Sequence, residues 1–401
     1  MSSQTTSVAI VGGGIGGLAA GLALLRAGID VTIYEQAAEL QEVGAGVQIS
    51  PNGTRLLRAW GLEDAMRSLG TGTAGKEVRV WNTASAKRFM ELGAEADRRY
   101  GAPYLTFHRA DLHGMLLAAV RREKANAVQL GRKLTRLLDD GPSVHLEMAD
   151  GSTVQADAAI GADGVHSRAR QLLFGADKPR FTGCMAWRGV IDTAHLPASI
   201  NRSGGVSWLG PTAHVLTYPI RQGRMLNFIG MVDRDDWTVD SWSASGTTEE
   251  CLRDFEGWHP DVVAMARAIA IQYKWALIVR EPLPQWTVGR VSLLGDACHS
   301  TLPFLAQGAN MALEDAMVLS RCIAHWRGDL PQALTRYQSM RRERTTRIVR
   351  ESAAQITRVH TPALAQEHSA HEHIEREWQA ASVNDRYDWV YSYDAMQQPL
   401  A

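Results

Sequence analysis

Residues 295–316, GDACHSTLPFLAQGANMALEDA, place Asp296, Cys298 and His299 within four positions, the raw material of a nucleophile with its base or of a metal site. Neither follows from the spacing. Cys298 and His299 are adjacent, and neighbouring side chains on a helix or strand point apart, so they do not make a nucleophile–base pair. Cys298 reads as a small buried hydrophobe, and the segment offers too few ligands for a metal. A second constellation lies in HVLTYPIR at 214–221. Alternation along a strand puts His214, Leu216 and Tyr218 on one face. An imidazole titrates near neutral pH, as a general base must, and a phenol beside it can hydrogen-bond a substrate. The competing reading is a satisfied core histidine. A third group, His368, His371 and Glu372 in QEHSAHEHIEREWQ, lacks the H-E-x-x-H order and reads as an exposed polar helix. No metal is expected.

Such groups need a scaffold, and the first sixty residues supply one. SVAIVGGGIGGLAAGLALLRAGIDVTIYEQ, from Ser7, reads as strand, glycine turn, helix and second strand. Gly12-x-Gly14-Ile15-x-Gly17 sits at the turn: the first glycine for the bend, the second for close approach of a pyrophosphate, the third for helix–strand packing. The helix start offers free amides and a positive dipole end to phosphate. Glu35, at the end of the second strand, is placed to accept ribose hydroxyls and to repel a 2′-phosphate. A second glycine pattern, GTGTAG at 70–75, follows a helix and precedes a strand; that order is wrong for a phosphate cradle, and it reads as a loop.

A chain of 401 residues exceeds what one core serves, so two structural units are expected. With 42 basic and 43 acidic side chains, nothing favours nucleic acid or an acidic membrane, and a small-molecule partner is expected. Val8 to Leu25 carries no charge, but its six glycines argue against a membrane span. The four cysteines lack C-x-x-C spacing and MSSQTTS lacks a positive secretion region, so a soluble cytoplasmic protein with free thiols is expected.

Three further stretches, HRADLHGML (108–116), GADGVHSRAR (161–170) and GRVSLLGDACHSTLPFLAQGANMALEDA (289–316), resemble the FAD-side signatures of single-component FAD-dependent aromatic hydroxylases. The resemblance implies a p-hydroxybenzoate hydroxylase-like fold: an α/β Rossmann-like FAD-binding domain, an inserted antiparallel sheet over the flavin, and C-terminal helices. It implies FAD contacts from Arg109, Asp163, Asp296 and the Gly308–Ala309–Asn310 turn. Gln48, in EVGAGVQISPN, and Pro303 would lie near flavin and substrate. Arg168 and Arg170 read as nucleotide-side cations or as surface charge. His299 would support the flavin loop, and Ala306 stands where many relatives have glycine. No second nucleotide fold is present, so NADH or NADPH would visit as reductant without its own domain.

Short alternating runs between about 181 and 275 fit the inserted sheet. The units are read as 1–72, 101–180 and 276–350 for FAD, 73–100 and 181–275 for substrate, and 351–401 as a helical tail. In this class reduced flavin and oxygen give a hydroperoxide whose distal oxygen is electrophilic, and a phenol attacks it readily once deprotonated. His214 is the candidate base and Tyr218 the candidate substrate hydrogen-bond partner. The His-x-x-x-Tyr spacing and RYDWVYSYD (386–394) resemble the 3-hydroxybenzoate 6-hydroxylase, salicylate hydroxylase and 6-hydroxynicotinate 3-monooxygenase branches; Gln48 leans away from the last. Trp187 and Arg188 read as pocket-shaping, carboxylate-binding or packing residues. The expected partners are a small aromatic acid and molecular oxygen, with the protein a monomer or homodimer. The competing classes are a flavin dehydrogenase or reductase and a non-catalytic flavin binder.

Overall fold

The computed structural model describes residues 6–40, 45–177, 179–234 and 244–400. Its organising element is a six-stranded sheet in the order Thr287–Val288, Val291–Leu293, Ala158–Gly161, Ser7–Val11, Asp30–Tyr34, Val128–Gln129. Ser7–Val11 pairs in parallel with Asp30–Tyr34 and Ala158–Gly161, and the latter in parallel with Val291–Leu293. The register aligns Val11 with Gly161 and Gly161 with Leu293. Three sequence motifs far apart in the chain therefore leave the sheet side by side at its C-terminal edge, where ligands gather in such folds. Helix Ile15–Arg26 can lie this close to the sheet because Gly21 has no side chain: a Cβ there would sit 2.6 Å from Ile33 Cδ1.

A second, eight-stranded sheet lies over that edge, in the order Ala244–Ser245, Tyr273–Val279, Arg180–Asp192, Met225–Asp233, Ala213–Ile220, Gly205–Leu209, Gly75–Val80, Ala86–Glu91. Its pairings are antiparallel except that Gly205–Leu209 runs parallel to Gly75–Val80. The sheet extends to Val279, past the boundary read at 275, because Ile278 and Val279 pair with Phe181 and Arg180. A small sheet of Gly46–Ile49, Leu105–His108 and Thr71–Gly72 carries Gln48 and delivers Arg109 to the start of its helix. Among the described residues no helix is long and apolar enough to cross a membrane.

Helix Gly308–His325 begins three residues earlier than the apolar run from Met311 suggests, and it crosses helix Leu330–Ala354 through buried charge. Arg341 donates to Glu314 at 2.6 Å and to Asp315 at 2.7 Å, and Arg344 donates to Glu314 at 2.8 Å. His299 meets the other Asp315 oxygen at 2.6 Å. Burial alone would raise the Asp315 carboxyl, but the charges of His299 and Arg341 outweigh it and hold it at about 2. Removing one partner strands a charge in the interior. Arg341→Met is expected to cost about 3–5 kcal/mol of stability, read by denaturant unfolding; a loss under about 1 kcal/mol would show that the carboxylates simply take up protons.

Candidate active site

The glycine turn is shaped by exclusion at two positions and by openness at a third. Gly12 has φ +109°, and a Cβ there would lie 2.4 Å from the Ala162 carbonyl oxygen; at Gly17 it would lie 1.9 Å from that of Gly12. Gly17 thus packs the turn and does not border the cleft. A Cβ on Gly14 would meet nothing within 4 Å and would project into open space. The turn is pinned on both sides. Glu35 accepts the Gly13 N–H at 2.7 Å and the Ala37 N–H at 2.8 Å, and the His113 ring donates to the Gly13 carbonyl at 2.8 Å. His113 lies inside HRADLHGML, yet sequence reading passed over it.

An outer groove of about 700 Å³ runs past Gly12, Gly14, Glu35 and Asp163. The Asp163 carboxylate is already engaged, accepting the Arg168 and Ala169 N–H groups at 2.7 and 3.0 Å. Arg170 is not surface charge. It is buried and donates to the carbonyls of Ala297 at 3.0 Å and Val165 at 2.9 Å, locking two strand-end turns together.

The groove continues through Gly14, Ala162 and Gly164 into an inner cavity of about 290 Å³ under the second sheet. Ile15, Arg109, Asp296, Gly308 and Ala309 line its floor. Burial raises the Asp296 carboxyl against the pull of His299 and Arg109. Asn310 does not line the cavity. Its side chain donates to the Gln48 and Ala306 carbonyls at 3.1 and 2.8 Å and accepts the Ser50 N–H at 3.0 Å, bracing the loop from behind. Cys298 is packed in the core, its thiol 3.4 Å from the Gly295 carbonyl, and burial pushes it up.

On the roof side, Tyr218, Arg188, Gln48 and Pro303 border the inner cavity. Arg188 lies 4.2 Å over the Trp275 ring, whereas Trp187 faces the opposite side, where its indole N–H meets Asp254 at 2.7 Å. His214 and Tyr218 share a face of Ala213–Ile220, but His214 lines a separate recess of about 80 Å³ that touches the cavity through Gln48, Leu216, Pro303 and Ala306. Four residues of strand span about 13 Å, so the two side chains border neighbouring spaces and do not meet at one atom. Burial first, then His360, pushes His214 well below its ordinary pKa.

Sequence reading missed the other side of this recess. Lys76 borders it with Arg386 and Tyr387. Its ammonium lies 4.6 Å from the Tyr104 ring centroid and 3.3 Å from the Tyr391 hydroxyl, and among the described residues it forms no ion pair. Burial lowers it to about 7. Tyr104 also donates to Gln48 Oε1 at 2.6 Å. His368 and His371 are exposed on a polar helix, as read.

One continuous cleft, running from a glycine turn and an acidic strand end to a ring-sized chamber under a second sheet, defines a protein that binds a flavin dinucleotide. The openness at Gly14 and the free helix starts fit that group. The chain belongs to the FAD binding domain family, whose pattern matches residues 5–352. It is 36% identical over 395 residues to a 3-amino-4-hydroxybenzoate 2-monooxygenase of Streptomyces platensis, covering 98% of both chains. It is 35% identical to a 6-hydroxynicotinate 3-monooxygenase of Pseudomonas fluorescens over 99% of this chain and 97% of that one. The structure of a salicylate hydroxylase substrate complex superposes with a TM-score of 0.81 at 28% identity, covering the whole of both chains.

Ala306 holds φ +54° at the left-handed end of the turn Pro303–Leu305. That conformation costs an L-residue about 1–2 kcal/mol, part of which glycine returns through its freer unfolded chain. Ala306→Gly is expected to stabilise the holoprotein by about 0.5–1 kcal/mol, seen as a higher thermal midpoint; a lower midpoint would mean that the methyl's packing matters more than the strain.

Proposed function

We propose that this FAD-dependent aromatic monooxygenase hydroxylates a small aromatic carboxylate bearing a ring hydroxyl, of the 3-hydroxybenzoate or salicylate kind, with a 6-hydroxynicotinate-type substrate as the alternative. The observation that supports it is the recess beside the inner cavity, where a neutral imidazole and an ammonium with no carboxylate partner among the described residues border one small space. Bound FAD, once reduced by NADH or NADPH, supplies the activated form of molecular oxygen. The strand-end glycines, Glu35, Arg109, Asp296 and the helix start at Gly308 hold it in this reading. The described residues of 1–72, 101–179 and 280–350 make up the flavin side, and those of 73–100 and 180–279 the substrate side.

His214 takes the ring-hydroxyl proton, because an aromatic ring attacks electrophilic oxygen readily only as its phenolate. Its depressed pKa keeps it neutral and ready to accept. Tyr218, whose pKa burial raises, stays a protonated phenol and donates a hydrogen bond to the substrate. Lys76 meets the carboxylate, whose charge restores its own. Both relatives named above act on rings that carry a hydroxyl and a carboxylate, which favours the same pairing. The reading also takes the protein as cytoplasmic, which its four buried free thiols favour, and as a monomer or homodimer.

Purified protein is expected to consume oxygen and NADH or NADPH faster when given one member of a panel of hydroxybenzoates and 6-hydroxynicotinate. If none accelerates the reaction, the hydroxylase reading fails; acceleration without oxygen uptake identifies a dehydrogenase or reductase instead. His214→Ala should retain FAD while hydroxylation falls by about 10²-fold or more. Unchanged turnover at every pH removes His214 from the chemistry.

Lys76 makes a separate pH prediction. Free enzyme loses the ammonium as pH rises through about 7, so kcat/KM for carboxylate substrates falls above that point. On the acid side the His214 limb lies below its ordinary 6.5. Lys76→Met should abolish the alkaline limb and raise KM roughly 10- to 100-fold, the equivalent of a lost charged hydrogen bond. An alkaline limb that persists in the variant places the carboxylate elsewhere.

A further inference from the structure

His214 is not the end of its own hydrogen-bond chain. Its Nδ1 lies 2.7 Å from Nε2 of His360, and Nδ1 of His360 lies 2.6 Å from Oδ1 of Asp233, whose side chain is 42% exposed. His214 and Asp233 come from adjacent antiparallel strands: His214 pairs with Met231, so Asp233 stands two residues further on the same face. His360 comes from the end of helix Ile356–Val359 and is fixed by a parallel bridge to Gly210. Three segments thus build a line from a buried recess to the surface.

With both imidazoles neutral and the carboxylate ionised, counting protons leaves one arrangement along that line. The Asp233 carboxylate accepts from Nδ1–H of His360, so Nε2 of His360 carries a lone pair and accepts from Nδ1–H of His214. His214 Nε2 is then left with its lone pair for the recess. Cys184 lies with Asp233 and His360 in a group whose ligand atoms fall within 4.8 Å of one another, as a metal site would require. Both His360 nitrogens are already bonded, however, and burial and Asp233 push the Cys184 thiol up to about 12, so the group offers neither a free imidazole lone pair nor a thiolate. The other groups facing the pair are Lys76, Arg386 and Tyr387 across the recess, the Phe304 ring 5.6 Å from His214, and Arg234 beside Asp233, which pairs with Asp254 at 3.1 Å.

We propose that His360 and Asp233 are positioning residues that act through His214, holding its Nε2 lone pair toward the substrate and giving the substrate's hydroxyl proton a path to water. The proposal rests on the reading of His214 as the base. Nε2 of His214 takes the hydroxyl proton as the ring attacks; Nδ1–H of His214 passes to Nε2 of His360; Nδ1–H of His360 passes to Asp233, which exchanges with solvent. When the product ring regains aromaticity its oxygen takes a proton back along the chain, and both tautomers reset.

In the holoenzyme, Asp233→Asn should keep its FAD content and near-ultraviolet dichroism while hydroxylation kcat falls roughly tenfold, less than the ~10²–10⁴-fold that the positioned base itself contributes. The acid limb of the pH profile should move to lower pH, because the carboxylate no longer favours protonated imidazole. His360→Gln should lower kcat by a similar factor, and the double variant should be no slower than His360→Gln alone, since both break one chain. Titration of the oxidised holoenzyme with 4-hydroxy-3-nitrobenzoate, whose phenolate is coloured, reads the effect without turnover: the bound hydroxyl ionises at higher pH on Asp233→Asn than on the unaltered protein. Additive losses, or a lowered plateau with an unmoved limb, overturn the relay. If His214→Ala turns over normally, the base reading itself has failed.

Discussion

Two adjacent carboxylates without access to water, Glu314 and Asp315, constrain everything packed around the active-site floor. An unpaired charge at such depth costs several kcal/mol, so each oxygen must find a donor. The donors come from three separate segments: Arg341 and Arg344 from helix Leu330–Ala354; the Gly295 N–H at 3.1 Å and His299 at 2.6 Å from the two ends of the short helix Asp296–His299; and Asn52 at 2.7 Å. Asn52 also donates to Gln307 at 3.0 Å, and Gln307 in turn donates to Ser50 at 3.0 Å. Satisfying two charges therefore fixes the start of helix Gly308–His325 against the strand-end turn and against the segment that carries Gln48.

This network also redefines the stretch GDACHSTLPFLAQGANMALEDA. Its acidic tail, Glu314 and Asp315, carries the structural load, and His299 belongs to that load. Asp296 and the helix start at Gly308 face the cleft, while Cys298 fills space. Residues with the most reactive side chains are here the least available for reaction.

The flavin side was legible in sequence because its requirements are local. A turn that forces φ to +109° at Gly12, or that leaves no room for a Cβ at Gly17, writes itself as glycine at fixed spacing. Strand alternation likewise put His214 and Tyr218 on one face without knowledge of any neighbour. What escaped was every pairing across the fold. Asn52 and Glu314 are separated by 262 positions, and His214 and His360 by 146. Lys76, in KEVRVW, carries no local sign of the Tyr387 and Tyr391 rings that the tail lays beside it. Nothing in the local pattern of a charged residue says whether its partner will be water or a buried ring.

The division between cavity and recess has its own physical origin, at Gly46 and Gln48. The Gly46 N–H meets Asn227 Oδ1 at 2.6 Å, and a Cβ on Gly46 would strike the Tyr218 ring at 2.5 Å, so this strand packs flush against the roof. Alternation then points Gln48 to the boundary that both spaces share. Its Oε1 is taken by the Tyr104 hydroxyl, which leaves the amide N–H₂ as the group presented there. A donor at that boundary favours an oxygen-bearing ring edge and gives nothing to a hydrocarbon one. Gln48, His214 and Lys76 thus stand on three segments that only the closed fold brings together. Under the proposed function, substrate choice follows from how the roof meets the floor more than from either sheet alone.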